Sequence, residues 1–122
     1  MSPREFDRLV EQCMDVIPPR FRRLLDNVVF VVEPEPSRPG LLGLYEGRPL
    51  TERSVSEPVR MPDRIVIYQG PHERLARDGD ELRRLVRETI WHEVAHYFGM
   101  DERQVRRAER RRSRLAARLR RR

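Results

Sequence analysis

The sequence predicts an α+β protein, in which helices near both ends of the chain enclose a small sheet. Three features support this class: an apolar stripe at helical spacing near the N-terminus, two short β-branched runs in the middle, and two helical stretches after them. The 122 residues suffice for one domain with one hydrophobic core. A single cysteine, Cys13, excludes an internal disulfide and a cysteine-based zinc cluster, and it is typical of a reducing compartment.

Residues 3–17 are predicted to form the first helix. Apolar side chains recur at helical spacing, Ser2 can cap the helix, and Pro3 suits its first turn. The proline pair at 18–19 ends this helix, since proline donates no backbone hydrogen bond and restricts the residue before it. Cys13 lies on the apolar stripe, so we interpret it as a small buried side chain rather than a reactive thiol.

Two strands are predicted from β-branched runs. The stretch 27–33 contains a continuous run of five apolar residues, which is typical of a strand covered on both faces, and residues 65–68 form the second strand. A shorter strand and turn are predicted at 41–47. The proline-rich residues 34–40 are predicted to be a loop, and the polar segment 48–61 is not a core element.

A long helix is predicted after the strands. It starts with Asp80 as its cap and ends near Phe98, where Gly99 supplies the left-handed residue that commonly follows a helix. A capping signal at Asp101 predicts a second, highly charged helix that runs to about residue 119.

The long helix carries the motif with chemical meaning. His92 and His96 are four residues apart, so they project from one helix face and can bind one zinc ion together. Glu93 lies close enough to act as a general base on a zinc-activated water. This is the H-E-x-x-H arrangement of zinc hydrolases, and chance gives only roughly 0.008 matches in a chain of this composition. The alternative is a pair of partly exposed histidines on a charged helix.

A zinc site of this type needs a third protein ligand and one open position. Glu102 lies six residues after His96, the spacing at which metzincins place a histidine, and Gly99 allows the chain to turn back towards the metal. We therefore predict Glu102 as the third ligand. Asp101, which competes as a helix cap, and Glu109 remain alternatives, and manganese or nickel remains an alternative to zinc.

These features resemble the minimal zincin-like metallopeptidases of bacteria, a family marked by the pattern H-E-x-x-H-x-x-G-x-x-D. Residues 27–33, 42–47 and 62–68 also resemble that family, so the similarity covers most of residues 5–109. The resemblance implies a minimal zincin-like fold, with a small mixed sheet packed on an active-site helix and further helices at the N- and C-terminal ends.

The resemblance also implies roles for single residues. His92 and His96 would bind zinc and Glu93 would be the general base, while Glu102 stands where the family usually has aspartate. In zincins generally, a strand beside the active-site helix pairs with an extended peptide. Residues 65–68 are the best candidate for that edge strand.

The positive charge is concentrated at the end of the chain. The formal net charge is +6, but residues 103–122 hold eleven arginines and one acid, which leaves 15 basic and 19 acidic residues in 1–102. We therefore divide the chain into a zincin-like metallopeptidase domain, residues 1–105, and an arginine-rich helical tail, residues 106–122. Charge runs of this kind are usually solvated, and this one has no interleaved aromatic residues.

The predicted function is a cytoplasmic, zinc-dependent metallopeptidase that hydrolyses peptide or protein substrates, with Glu93 as the general base. The alternatives are a non-catalytic metal-binding interaction module, and a protein that contacts nucleic acid or another anionic surface through the basic tail. No stretch approaches the ~20 apolar residues of a membrane span, and the first 30 residues lack the layout of a secretory signal.

Four further polar residues have less specific interpretations. His72 follows a glycine-proline pair and is predicted to be a surface histidine. Glu88 either supports His92 by hydrogen bonding or pairs with a neighbouring arginine. Tyr45 is assigned to packing rather than to stabilising an oxyanion, and Tyr97 is left open between the core and the cleft.

Overall fold

A three-stranded mixed sheet lies at the centre of the fold, and one long helix packs against it. The computed structural model describes residues 1–49 and 61–100, together with six tail positions: 103, 104, 107, 110, 111 and 114. The helices are α1 (Pro3–Cys13), α2 (Pro19–Arg22), α3 (Gln69–Leu75) and α4 (Gly79–Tyr97), and the strands are β1 (Val28–Glu33), β2 (Gly43–Glu46) and β3 (Asp63–Tyr68). The predicted α+β class with a small mixed sheet is confirmed.

The strand order is β1-β3-β2, with β1 parallel and β2 antiparallel to β3. Two predictions about these strands are wrong. Residues 65–68 belong to β3, which is central and buried, so they are not an edge. Conversely, β1 is an edge strand and not covered on both faces, since Val29 is 43% exposed. A β-branched run reports strand propensity but not which neighbours the strand acquires.

The start of α1 follows the predicted capping chemistry. The Ser2 hydroxyl accepts a hydrogen bond from the Glu5 amide at 3.1 Å, and the Glu5 carboxylate accepts one from the Ser2 amide at 3.1 Å. The α-helix ends at Cys13 and continues as one 3-10 turn, Met14–Val16, short of the predicted end at residue 17. Burial raises the pKa of the Cys13 thiol, so this side chain stays protonated, as its assignment to the core requires.

The long helix α4 begins two residues earlier than predicted. Asp78, and not Asp80, is its cap, because the Asp78 carboxylate accepts a hydrogen bond from the Glu81 amide at 2.8 Å. Asp80 lies instead in the first turn, where a negative charge also stabilises a helix. At the other end Gly99 has a φ of +80°, which confirms the left-handed residue after the helix.

The core lies between α4, α1 and the inner face of the sheet. Fully buried side chains from these elements meet there, together with Ile17, which follows the 3-10 turn; among them are Phe6, Ile65, Ile67, Val86, Ile90 and Val94. This packing fixes both the height and the rotation of α4 against the sheet. Among the described residues, no helix is long and apolar enough to cross a membrane.

Helix α3 follows β3 without a loop. It begins at Gln69, and Pro71 is accommodated in its first turn, where no amide donor is needed. In the tail, the six described positions are helical and exposed. The division of the chain at residue 105 stays a prediction.

Candidate metal centre

Helix α4 brings the two motif histidines together. His92 and His96 are both half-buried on the same side of the helix, and their ring centroids are 4.9 Å apart with an interplanar angle of 67°. The turn between them is anchored by Val94, which is fully buried in the core. The backbone of this turn is therefore fixed by packing, and the two imidazoles project from a rigid support.

A cleft of about 360 Å³ lies between α4 and the segment that leads into β2. One wall is formed by Leu85, Glu88, Thr89, His92 and Glu93, and the other by Gly40, Leu41, Leu42 and Gly43. The first wall presents two carboxylates and an imidazole, and none of the described residues that line the cleft is an arginine. His92 is the motif histidine that lines this cleft, and imidazole and carboxylate are donor types that suit a divalent metal such as zinc.

Glu93 lies where the helix comes closest to β2. Only 8% of this residue is exposed. A Cβ atom at Gly43 would lie 3.3 Å from the Glu93 Cγ and 2.6 Å from the Thr89 Cγ2, so the backbone of β2 approaches α4 more closely than a side chain would permit. Glu93 is therefore held in a narrow space at the edge of the cleft, next in the sequence to His92.

The third predicted ligand and its competitors, Glu102, Asp101 and Glu109, lie outside the described residues. Within the part of the chain that the structure describes, no group of three histidine, cysteine, aspartate or glutamate side chains converges on one point. Gly99, which follows the helix, has the conformation needed to redirect the chain. A third ligand beyond Gly99 therefore stays a prediction.

The structure corrects the assignment of His72. This residue is completely buried rather than at the surface, with Nδ1 2.6 Å from the Tyr68 carbonyl oxygen and Nε2 2.8 Å from the Thr89 hydroxyl. The sequence holds one signal of this position: His72 lies four residues after Tyr68, so a helix that starts directly after β3 directs the ring back onto the end of that strand. The glycine-proline pair before His72 favours a turn and conceals that signal.

The remaining polar side chains are structural. Glu88 accepts a hydrogen bond from Arg84 at 2.8 Å, which favours the pairing with a neighbouring arginine over support of a ligand. The Tyr45 hydroxyl donates to the buried Asp63 carboxylate at 2.6 Å, in agreement with a packing role. Tyr97 is fully buried and belongs to the core.

Comparison with known proteins supports this interpretation of the fold. A sequence model of the family described as zincin-like metallopeptidase matches residues 25–112, which confirms the resemblance inferred from the sequence. The solved structure of a conserved hypothetical protein from T. thermophilus is similar to this chain, with a TM-score of 0.53 and 27% identity over 80% of this chain and 94% of that one. No curated protein matches the chain.

Proposed function

From the premise that this chain belongs to the zincin-like metallopeptidase family, we propose that it is a zinc-dependent peptidase whose metal is held by His92 and His96. The observation that carries this proposal is the pair of imidazole rings 4.9 Å apart on the face of α4 that also bears the nearly buried Glu93. A charged surface helix has no need of two adjacent histidines beside a buried carboxylate, whereas a metal-dependent hydrolase requires this combination.

Glu93 is the general base of the proposed reaction. Zinc, when bound, would polarise the scissile carbonyl and lower the pKa of a water molecule towards neutral pH. Glu93 takes the proton from the attacking water and passes it to the leaving amine. Its burial beside Gly43 limits the space available to the side chain, which supports a fixed position for this transfer.

We propose Glu102 as the third ligand, with Asp101 and Glu109 as its competitors. A carboxylate in this place leaves one coordination position open, as a catalytic zinc site needs. The left-handed Gly99 supports this assignment, because it turns the chain sharply immediately before the candidate residues.

The proposed substrate is a peptide or protein segment in extended conformation. It would pair with β2, because β2 is the edge strand on the α4 side of the sheet and its first residue, Gly43, lines the cleft. An extended peptide added to this edge would run past Glu93, and its main chain would supply the hydrogen bonds of an additional strand. The role first assigned to residues 65–68 thus passes to residues 43–46.

The test combines metal analysis with one conservative substitution. Elemental analysis of the purified protein is expected to give close to one zinc per chain, and His92→Ala with His96→Ala is expected to abolish it. Glu93→Gln preserves shape and removes the base, so it is expected to retain zinc while turnover of a fluorogenic peptide library falls by about 10²–10⁴-fold. A protein that binds no zinc after incubation with the metal, or a Glu93→Gln variant as active as wild type, would refute the proposal.

A further inference from the structure

A hydrogen-bond network lies directly behind the wall of the cleft. His72, on α3, is fully buried, and both of its ring nitrogens are within hydrogen-bond distance of protein atoms: the Tyr68 carbonyl at 2.6 Å and the Thr89 hydroxyl at 2.8 Å. Thr89 belongs to α4 and lines the cleft one helical turn before Glu93. His72 therefore contacts the cleft wall from its buried side and does not itself line the cleft.

The number of available protons determines how this network is arranged. Burial lowers the pKa of His72, while the backbone carbonyls of Tyr68 and Leu85 oppose this shift, so the ring is neutral at neutral pH and carries one N–H. The Tyr68 carbonyl can only accept, and therefore Nδ1 carries that proton. Nε2 is then an acceptor, and the hydroxyl of Thr89 donates to it.

The Thr89 hydroxyl has a second acceptor, the Leu85 carbonyl of its own helix at 2.9 Å. In an isolated helix a threonine commonly makes only that bond. A hydroxyl has one proton, so Thr89 shares it between the Leu85 carbonyl of its own helix and Nε2 of His72 on another helix. The side chain of Thr89 is thereby held in one rotamer by groups on two different helices.

The rotamer of Thr89 decides the position of its methyl group. That methyl faces β2: a Cβ atom at Gly43 would lie 2.6 Å from the Thr89 Cγ2, 3.0 Å from the Val66 carbonyl oxygen and 3.3 Å from the Glu93 Cγ. The methyl of Thr89 and the bare backbone of Gly43 thus set the closest approach of β2 to α4. This contact therefore limits the space beside Glu93 at the edge of the cleft.

We propose that His72 and Thr89 are positioning residues, which fix the gap between β2 and α4 and hence the distance from a peptide bound along β2 to Glu93. This inference rests on the proposed function. The hydroxyl anchors Thr89 to His72, and the methyl presses against Gly43. If the anchor is lost, the side chain can rotate and β2 loses the contact that holds its first residue.

Two substitutions separate this role from general stability. Thr89→Val keeps the branched shape and removes the hydroxyl, while His72→Asn keeps a donor close to the Tyr68 carbonyl and removes Nε2. The double variant tests whether the two residues act through one contact. Val10→Ala is the matched control, because Val10 is equally buried in α1 but does not line the cleft.

The first readout is the affinity of the zinc-loaded protein for a tripeptide hydroxamate, measured by calorimetry. This probe joins a metal-binding group to an extended peptide. We expect each single substitution to weaken binding about tenfold and the double variant to be no weaker than either one. Zinc content is expected to stay unchanged, and Val10→Ala is expected to bind within about twofold of wild type despite its lower thermal midpoint.

The second readout is backbone amide hydrogen exchange, which requires neither metal nor turnover. Thr89→Val and His72→Asn are expected to accelerate exchange in β2 about tenfold relative to β1, and Val10→Ala is not. A wild-type protein that binds no hydroxamate refutes the proposed function, and exchange in β2 still tests the positioning role. Two results would overturn the inference. One is amide exchange that accelerates equally in β1 and β2, and the other is a loss of hydroxamate affinity in the double variant that equals the product of the two single losses.

Discussion

The three histidines of this chain occupy two regions that differ in what surrounds the ring. Behind the cleft, His72 is fully buried and the protein provides a hydrogen-bonding partner for each ring nitrogen. On the cleft side, His92 and His96 are half-buried and their rings face each other at 4.9 Å. In one region the imidazole joins two helices, whereas in the other two imidazoles lie side by side on one helix and His92 lines the cleft. The surroundings, and not the residue type, distinguish the structural histidine from the pair that we propose as metal ligands.

The comparison is tested most strongly by zinc affinity. We expect His92→Ala and His96→Ala each to weaken zinc binding by at least about a hundredfold, because each removes one ligand. His72→Asn is expected to lower stability and to leave zinc affinity unchanged, since His72 does not line the cleft. A competition titration with a chromogenic chelator measures all three variants. Loss of zinc in His72→Asn alone would reverse the assignment of the two regions.

Substitution of Gly43 tests the close packing of β2 against α4, beside the cleft. An alanine there would meet the methyl of Thr89 and the carbonyl of Val66, so Gly43→Ala is expected to lower the free energy of unfolding by about 1–3 kcal/mol. Gly79→Ala is the matched control, because nothing lies within 4 Å of the added atom and alanine favours the helix that starts there. Urea denaturation that ranks the two variants equally would contradict the close approach of β2 to α4.

The sequence was most informative where the relevant interaction is local. The capping box of Ser2 with Glu5, the left-handed Gly99 and the shared face of His92 and His96 involve residues at most four positions apart. Helix geometry alone relates such residues, so their arrangement could be predicted without knowledge of the tertiary fold.

Interactions between distant segments could not be predicted in this way. β1 and β3 are similar apolar runs, and only the pairing of β2 with β3 makes β3 central and β1 an edge. The burial of His72 likewise depends on Thr89, seventeen residues further along the chain. Sequence periodicity contains no information about which elements come to lie beside one another.

The pH dependence of stability tests the buried region separately. Because burial lowers the pKa of His72 below its ordinary 6.5, the unfolded chain takes up a proton in a pH range where the folded protein does not. The stabilisation from the neutral ring is complete above pH 6.5 and is lost as the pH falls towards the folded pKa. As the pH decreases, the free energy of unfolding of the wild type is therefore expected to fall by up to about 1.4 kcal/mol per pH unit more than that of His72→Asn.

Urea midpoints at about pH 7.5 and about pH 5 measure this difference. The carboxylates of Glu5, Glu35 and Glu81 have pKa values lowered from 4.5, so their contributions persist across this range. His92 and His96 are present in both proteins, so any contribution that they make is common to both. An equal loss of stability between the two pH values in wild type and His72→Asn would contradict the lowered pKa of His72.

The smallest effect is expected in the tail, which differs from both histidine regions in charge and exposure. Its described arginines are exposed and form no ion pair with any other described residue, whereas Arg64 bonds Glu33 and Glu46 across the sheet. Replacing the five described tail arginines by glutamine is expected to change the free energy of unfolding by less than about 0.5 kcal/mol. Arg64→Gln is expected to change it by up to about 1 kcal/mol. These five arginines are Arg103, Arg107, Arg110, Arg111 and Arg114.

The same tail variant tests the nucleic-acid alternative raised by the sequence. Phosphate contacts release counterions, so each lost contact lowers the slope of log affinity against log salt by about 0.9 for duplex DNA. Binding that weakens and loses salt dependence in the tail variant, but not in Arg64→Gln, would give the tail a function of its own. Unchanged nucleic-acid binding would remove this alternative. The zinc content is expected to be the same in both variants, because neither substitution changes a residue that lines the cleft.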